Sequence, residues 1–194
     1  MMHLLNSPVQ DGGQWDMFVN LIEKYGVVPQ SVMAESFQSS QSRMMNQFLT
    51  RKLRGFAFEL RKLNSNGSKL KELRTEKAKM MSTIYSMLCI CLGNPPKKFN
   101  WQTRDKKNKF IRLTDVSPLD FYKKHSNINL KDKVCLIHAP MSNKKMNELY
   151  TVSFLGNVVE GQIIKYANVD IDIIKQAAIK SIKNDESVWF GCDV

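Results

Sequence analysis

Cysteine is scarce in this chain, with 4 in 194 residues at Cys89, Cys91, Cys135 and Cys192. So few, beside 11 methionines, do not make a disulfide scaffold, and they point to a reducing compartment. Histidine is scarcer still: His3, His125 and His138 complete the set. The chain holds no H-E-x-x-H, no P-loop, no dinucleotide fingerprint and no G-x-S-x-G elbow. Cys-x-Cys at Cys89 and Cys91 has no second ligand pair after it, so it is no zinc or redox signature. No apolar run approaches the roughly 20 residues of a membrane span, and the start "MMHLLNSPVQ" lacks the basic n-region of a secretory signal. A metal site, a cofactor and a membrane partner are therefore not expected.

Acidic residues are missing from one stretch in particular. Between Arg43 and Arg112 there are 18 Lys/Arg against 4 Asp/Glu, a surplus of 14 in a chain whose net charge is +11. The remainder of the chain is slightly acidic. A localised basic surface is either a solvated helical face or a surface that attracts nucleic acid or an acidic partner. No nucleic-acid motif with interleaved aromatics accompanies it.

What is present is enough for a packed domain, since 43% of residues are hydrophobic. "QWDMFVNLIEKYG" reads as a helix from Gln14 to Tyr25, with Trp15, Phe18, Val19, Ile22 and Tyr25 on one face and Gly26 ending it. "ESFQSSQS" reads as a polar loop. Two long amphipathic helices follow. Met45, Leu49, Leu53, Phe56, Leu60 and Leu63 form the stripe of the first, and Leu70, Leu73, Lys77, Met80, Ile84, Met87 and Cys91 continue the same spacing in the second. The short "NSNG" between them predicts an antiparallel hairpin, and "GNPP" stops it. "KFNWQ" and "KFIRL" read as strands around a turn at "RDKKN". Ser117 and Pro118 open a short helix. "KVCLIHAP", "LYTVSFL" and "QIIKY" read as strands. Asp170 or Asp172 caps a helix with Ile174, Ala177, Ala178 and Ile182 inward, and "SVWFGCDV" reads as a final strand. The fold class is α+β with a helical middle.

Function shows first in "DGGQWDMFVNLIEKYGVVP". Adjacent glycines mark a turn, tight packing, or backbone that a ligand approaches. The segment resembles that of papain-like cysteine peptidases in which a Gly-Gly pair precedes a helix ending in Tyr-Gly, and most closely the bleomycin hydrolase and aminopeptidase C group. "ESF", "CICLGNPP", "SPLDFYKKH", "ELYTV" and "SVWFGCDV" agree with that group in order, so the resemblance runs along essentially the whole chain.

The resemblance implies a partial papain-like fold with a large, mainly helical insertion. Residues 1–34 would belong to the core, 35–165 to the basic insertion, and 166–194 to the returning core. It implies a cytoplasmic thiol aminopeptidase that acts on peptide substrates and on the bleomycin amide through an acyl-enzyme, assembled as a homohexamer. Nucleic acid is a further implied partner. Gly12 and Gly13 match the pair that lines the substrate cleft, where bare backbone hydrogen-bonds an extended peptide. Asp11 and Gln14 would border the same subsite. The family's catalytic cysteine lies upstream of this segment, and its histidine and asparagine lie downstream of "WFGCDV". None of the cysteines or histidines present matches them, so the chain reads as an internal fragment, inactive alone. The alternative is a noncatalytic binding protein that uses its basic helices to hold nucleic acid or partner subunits.

Overall fold

The computed structural model describes residues 6, 8, 9, 12–126, 129–153 and 155–191. The chain divides into two compact units. One comprises residues 1–12 and 26–125, the other residues 13–25 and 126–194.

The first unit is built on the helical hairpin. Helix α3 (Arg43–Ser65) and helix α4 (Leu70–Leu92) are 23 residues each, which makes each about 34 Å long. The predicted stripe packs inward over most of its length: Leu49, Met80 and Ile84 are buried, and Met45, Leu53, Phe56, Leu60, Leu63, Leu73, Met87 and Cys91 are half-buried, whereas Leu70 in the first turn of α4 and Lys77 are exposed. The turn between the helices uses Gly67 at φ +85°, and its N–H reaches the Asn64 carbonyl at 3.0 Å. The Glu72 carboxylate caps the start of α4 by accepting the Lys69 N–H at 2.9 Å. Gly93, at φ +87°, closes α4 by donating to the Cys89 carbonyl. The "ESFQSSQS" stretch is not wholly loop. Ser36 caps a one-turn helix α2 (Phe37–Ser40), its hydroxyl accepting the Ser39 N–H.

Strands β1 (Phe99–Arg104) and β2 (Phe110–Val116) pair antiparallel, with Trp101 opposite Leu113 and Arg104 opposite Phe110. Their connection is held by Asp105, whose carboxylate accepts the Lys107 and Lys109 N–H groups, both at 2.9 Å. Helix α5 (Pro118–His125) starts as predicted: the Ser117 hydroxyl accepts the Asp120 N–H and donates to the Asp120 carboxylate. Phe121 then packs edge-on against Phe99 and Trp101 at 5.5 and 5.3 Å between ring centres.

The second unit holds helix α1 (Trp15–Tyr25), a 3-10 turn (Leu130–Asp132), three very short strands and helix α6 (Ile171–Lys183). Strand β5 (Tyr166–Asn168) is central, parallel to β3 (Leu136–Ile137) and antiparallel to β4 (Glu148–Tyr150). Asn168 in β5 is 0% exposed. Its carboxamide oxygen accepts the Ala139 N–H at 2.8 Å, and its nitrogen donates to the Lys145 carbonyl at 3.1 Å. Asp170, not Asp172, caps α6, accepting the Asp172 N–H at 2.9 Å.

Four expectations need correction here. The strand expected from "QIIKY" begins only at Tyr166, because side chains of α1 take the polar groups of the preceding segment. On α6, Ile174, Ala177 and Ala178 are half-buried, but Ile182 is 64% exposed in the last turn of the helix. On α1, Val19 and Ile22 are buried as expected, whereas Phe18 and Tyr25 are largely exposed. The described part of "SVWFGCDV", up to Gly191, forms no strand: no neighbouring chain pairs with it, and Trp189 and Phe190 stand mostly exposed.

Candidate functional site

The glycine pair stands immediately before α1. Gly12 has φ +151°, a conformation that selects glycine by backbone alone. Both Gly12 and Gly13 are exposed, and a Cβ added to either meets no heavy atom within 4 Å. Neither glycine is therefore explained by crowding from the described residues. Gln14 follows and supplies the carbonyl that accepts the Phe18 N–H at 3.1 Å, so it opens the helix. Asp11 lies outside the described residues.

Helix α1 is fastened along one face to the segment 157–165. The Asp16 carboxylate accepts the Lys165 N–H at 2.7 Å. The Asn157 side chain donates to the Met17 carbonyl at 3.0 Å. The Asn20 carboxamide pairs twice with Gln162, donating to its carbonyl at 2.9 Å and accepting its N–H at 2.8 Å. Lys24 closes the row with an ion pair to Glu160 at 2.8 Å. The Lys24 hydrogen bond holds the Glu160 carboxyl below its ordinary range, and the Glu160 partner raises Lys24 in return. Lys131 pairs with Glu23 at 3.0 Å beside this row. Asn20, Glu23, Lys24, Lys131, Glu160 and Gln162 rim a cavity of about 440 Å³. Sequence reasoning missed this arrangement, although an asparagine at a helix-interior position next to Val19 was a signal that its side chain has partners.

Around the start of α1 sits an aromatic group. Trp15 meets Trp189 edge-on at 5.3 Å, and Phe18 meets the same ring at 5.3 Å. The Trp15 indole N–H is buried and has no acceptor among the described residues.

The thiols and imidazoles are dispersed. Cys89 and Cys91 are half-buried on α4, where the Tyr85 hydroxyl hydrogen-bonds Cys89 and is raised by it. Burial pushes the Cys135 thiol up, and the nearby Asp16 carboxylate adds to the effect. His138 places Nδ1 at 3.0 Å from the Val169 carbonyl, and His125 lies over the Phe121 ring at 5.9 Å. His3 and Cys192 lie outside the described residues. Among the described residues, no three His, Cys, Asp or Glu side chains converge as a metal site would, and no helix is long and apolar enough to cross a membrane. The basic surplus lies in the first unit, and Arg43, Arg51 and Arg54 of α3 line a second cavity of about 630 Å³.

Comparison with known proteins bears out the resemblance read from the Gly-Gly segment and the motifs after it. Human bleomycin hydrolase is 44% identical over 193 residues, which is 98% of this chain and 42% of that protein. Aminopeptidase C of Listeria monocytogenes is 47% identical over 191 residues, 98% of this chain and 43% of that protein. The crystal structure of pepw from Lactobacillus rhamnosis HN001 matches with a TM-score of 0.91 at 46% identity, over 100% of this chain and 43% of that one. The chain thus spans somewhat under half the length of the relatives it matches. The model of the Peptidase C1-like family aligns with residues 1–194, and on sequence and fold together the chain belongs to that family.

Proposed function

We propose that this chain forms part of a cytoplasmic thiol aminopeptidase that removes N-terminal residues from peptides and cleaves the bleomycin amide. The observation that carries the reading is identity of 44–47% to bleomycin hydrolase and aminopeptidase C along nearly the whole chain. In this reading Gly12 and Gly13 form one wall of the substrate cleft. Their exposure, with open space where side chains would stand, supports a peptide lying against bare backbone. The nucleophilic cysteine, its histidine and the orienting asparagine are supplied by segments other than residues 1–194. Acyl transfer needs a thiolate and an imidazole within hydrogen-bond reach. Here the Cys135 thiol is raised rather than lowered, which disfavours the nucleophilic thiolate form. The active protein is a homohexamer and needs no cofactor.

The test compares the 194-residue chain with a polypeptide that joins it to the family's cysteine, histidine and asparagine segments. Both are assayed on aminoacyl p-nitroanilides. Thiol-dependent turnover by the longer polypeptide alone is expected. Turnover by the short chain, or turnover by the longer one that survives iodoacetamide, overturns the reading.

A second reading rests on the localised charge. The basic helices and ribbon of residues 43–112 would hold nucleic acid or partner subunits without catalysis. It requires single-stranded oligonucleotide binding by the chain that weakens steeply as salt is raised.

A further inference from the structure

No described residue packs against Gly13 where a side chain would stand. Gly13 is exposed, and its Cβ direction is empty to 4 Å. Its position is inherited from the helix that begins two residues later. What holds that helix is therefore what holds Gly13.

Within the second unit, the row of contacts to segment 157–165 answers that requirement. Its order is informative. Lys24 meets Glu160, Asn20 meets Gln162, and Asp16 meets Lys165. Residues 160–165 thus run antiparallel along one face of α1, toward Gly13, while Asn157 lies outside that order at Met17. The eight steps from Asp16 to Lys24 rise about 12 Å, and the five steps from Glu160 to Lys165 reach about 17 Å when fully extended, so the segment spans the row with slack, and it turns at Gly161, whose N–H bonds the Val158 carbonyl. It pairs with no strand there, and the Gln162 N–H and carbonyl and the Lys165 N–H are taken by helix side chains.

Asn20 is the centre of the row. It is 6% exposed, and its one amide group fills both the donor and the acceptor of Gln162. Gly161 makes room for it: a Cβ there would stand 2.6 Å from Asn20 Cγ and Nδ2. Asn20 and Gly161 are matched in shape. Lys24 and Glu160 are exposed and screened, and such pairs contribute little.

We propose that Asn20, seated against Gly161 and Gln162, is a positioning residue for peptide binding at Gly13. The proposal rests on the reading of Gly13 as cleft backbone. By fixing the first turns of α1 to segment 160–165, Asn20 sets where the Gly13 backbone stands when an extended peptide meets it.

The test uses the joined, thiol-active polypeptide and a peptide reporter, with kcat expressed per titrated active thiol. Asn20→Ala is expected to raise KM roughly five- to tenfold, the value of about one backbone hydrogen bond to the peptide. Its kcat stays within about twofold. Gly161→Ala, which pushes Asn20 from the other side, is expected to reproduce the same split. Asn20→Asp keeps the acceptor for the Gln162 N–H and falls between. A purely structural Asn20 would lower the melting temperature and the active fraction while leaving KM of the titrated enzyme unchanged, and that result overturns the proposal. Should Asn20→Ala fail to fold, the exposed Asn157→Ala is measured instead, with a smaller rise in KM expected and an unchanged KM counting against the proposal. Gly13→Ala separates the two levels. A raised KM in Gly13→Ala with an unchanged KM in Asn20→Ala removes the positioning role alone. An unchanged KM in Gly13→Ala removes the cleft reading and this proposal with it.

Discussion

Gly26→Ala should be among the most damaging single changes in the chain, and the structure says by how much. Gly26 sits at φ +77°, where an L-residue costs about 1–2 kcal/mol. Its added Cβ would stand 2.2 Å from both the carbonyl carbon and oxygen of Pro118, and 2.3 Å from Leu119 N. These are backbone atoms at the start of α5, so no side chain can rotate away. Overpacking of this kind costs about 1–3 kcal/mol. Relief means moving the chain away from Pro118, which breaks the Val27 N–H bond to the Pro118 carbonyl at 3.2 Å. That bond is worth about 0.5–1.5 kcal/mol. The expected loss is about 3–6 kcal/mol, against a typical total stability of about 5–15 kcal/mol. Gly67→Ala is the control. Gly67 also has positive φ, +85°, but nothing lies within 4 Å of its Cβ. Its conformational cost is partly offset by a less flexible unfolded chain, leaving about 1 kcal/mol. Urea unfolding read by circular dichroism should show the Gly26→Ala midpoint falling by about 1.5 M, and that of Gly67→Ala by under about 0.5 M. Hydrogen exchange at the Val27 amide should accelerate only in Gly26→Ala. If the two midpoints fall together, backbone crowding at Gly26 is not what its glycine relieves.

Two further outcomes follow from buried polar groups. Asn168→Ala removes an acceptor from the Ala139 N–H and a donor from the Lys145 carbonyl in a site closed to water. It should cost about 2–4 kcal/mol, and exchange at the Ala139 amide should lose its protection first. The Cys135 thiol is raised by burial and by Asp16, so less of it is thiolate at a given pH. Iodoacetamide should label it more slowly at pH 8 than it labels a free model thiol, with the rate still climbing at higher pH. A rate at pH 8 equal to the free thiol's contradicts the burial.

Local signals were legible where local physics decides. The stripe from Met45 to Leu63 and its partner on α4 are helix-period patterns, and apart from the exposed Leu70 and Lys77 they pack as the period requires. Ser117 and Asp170 cap the helices they precede, because capping needs only residues a few positions away. The Gly12–Gly13 pair was visible for the same reason, and φ +151° at Gly12 is a backbone demand that only glycine meets easily. The second unit was harder to read. Its strands are two or three residues long and are defined by partners dozens of positions away, such as Leu136 with Ala167. Apolar alternation in "SVWF" suggested a strand, but a strand exists only where another pairs with it. Residues 160–165 carry strand-like character in "QII", yet their hydrogen bonds go to Asp16 and Asn20 on a helix. Contacts across more than 140 positions leave almost no mark on a single sequence.

The fastening of segment 157–165 along α1 also bears on how this region can change over time. Surface loops ordinarily absorb insertions and deletions at small cost. This one is a ruler laid against a helix, with marks at Asp16, Asn20 and Lys24 that must meet Lys165, Gln162 and Glu160 in order. The side chains of Gln162 and Lys165 can vary, since their bonds run through backbone atoms that every residue carries, while Gly161 must stay small against Asn20. The length of the segment cannot vary. One residue added between Glu160 and Lys165 shifts the marks by about 3.3 Å, more than a hydrogen bond's tolerance, and puts the whole row out of step at once.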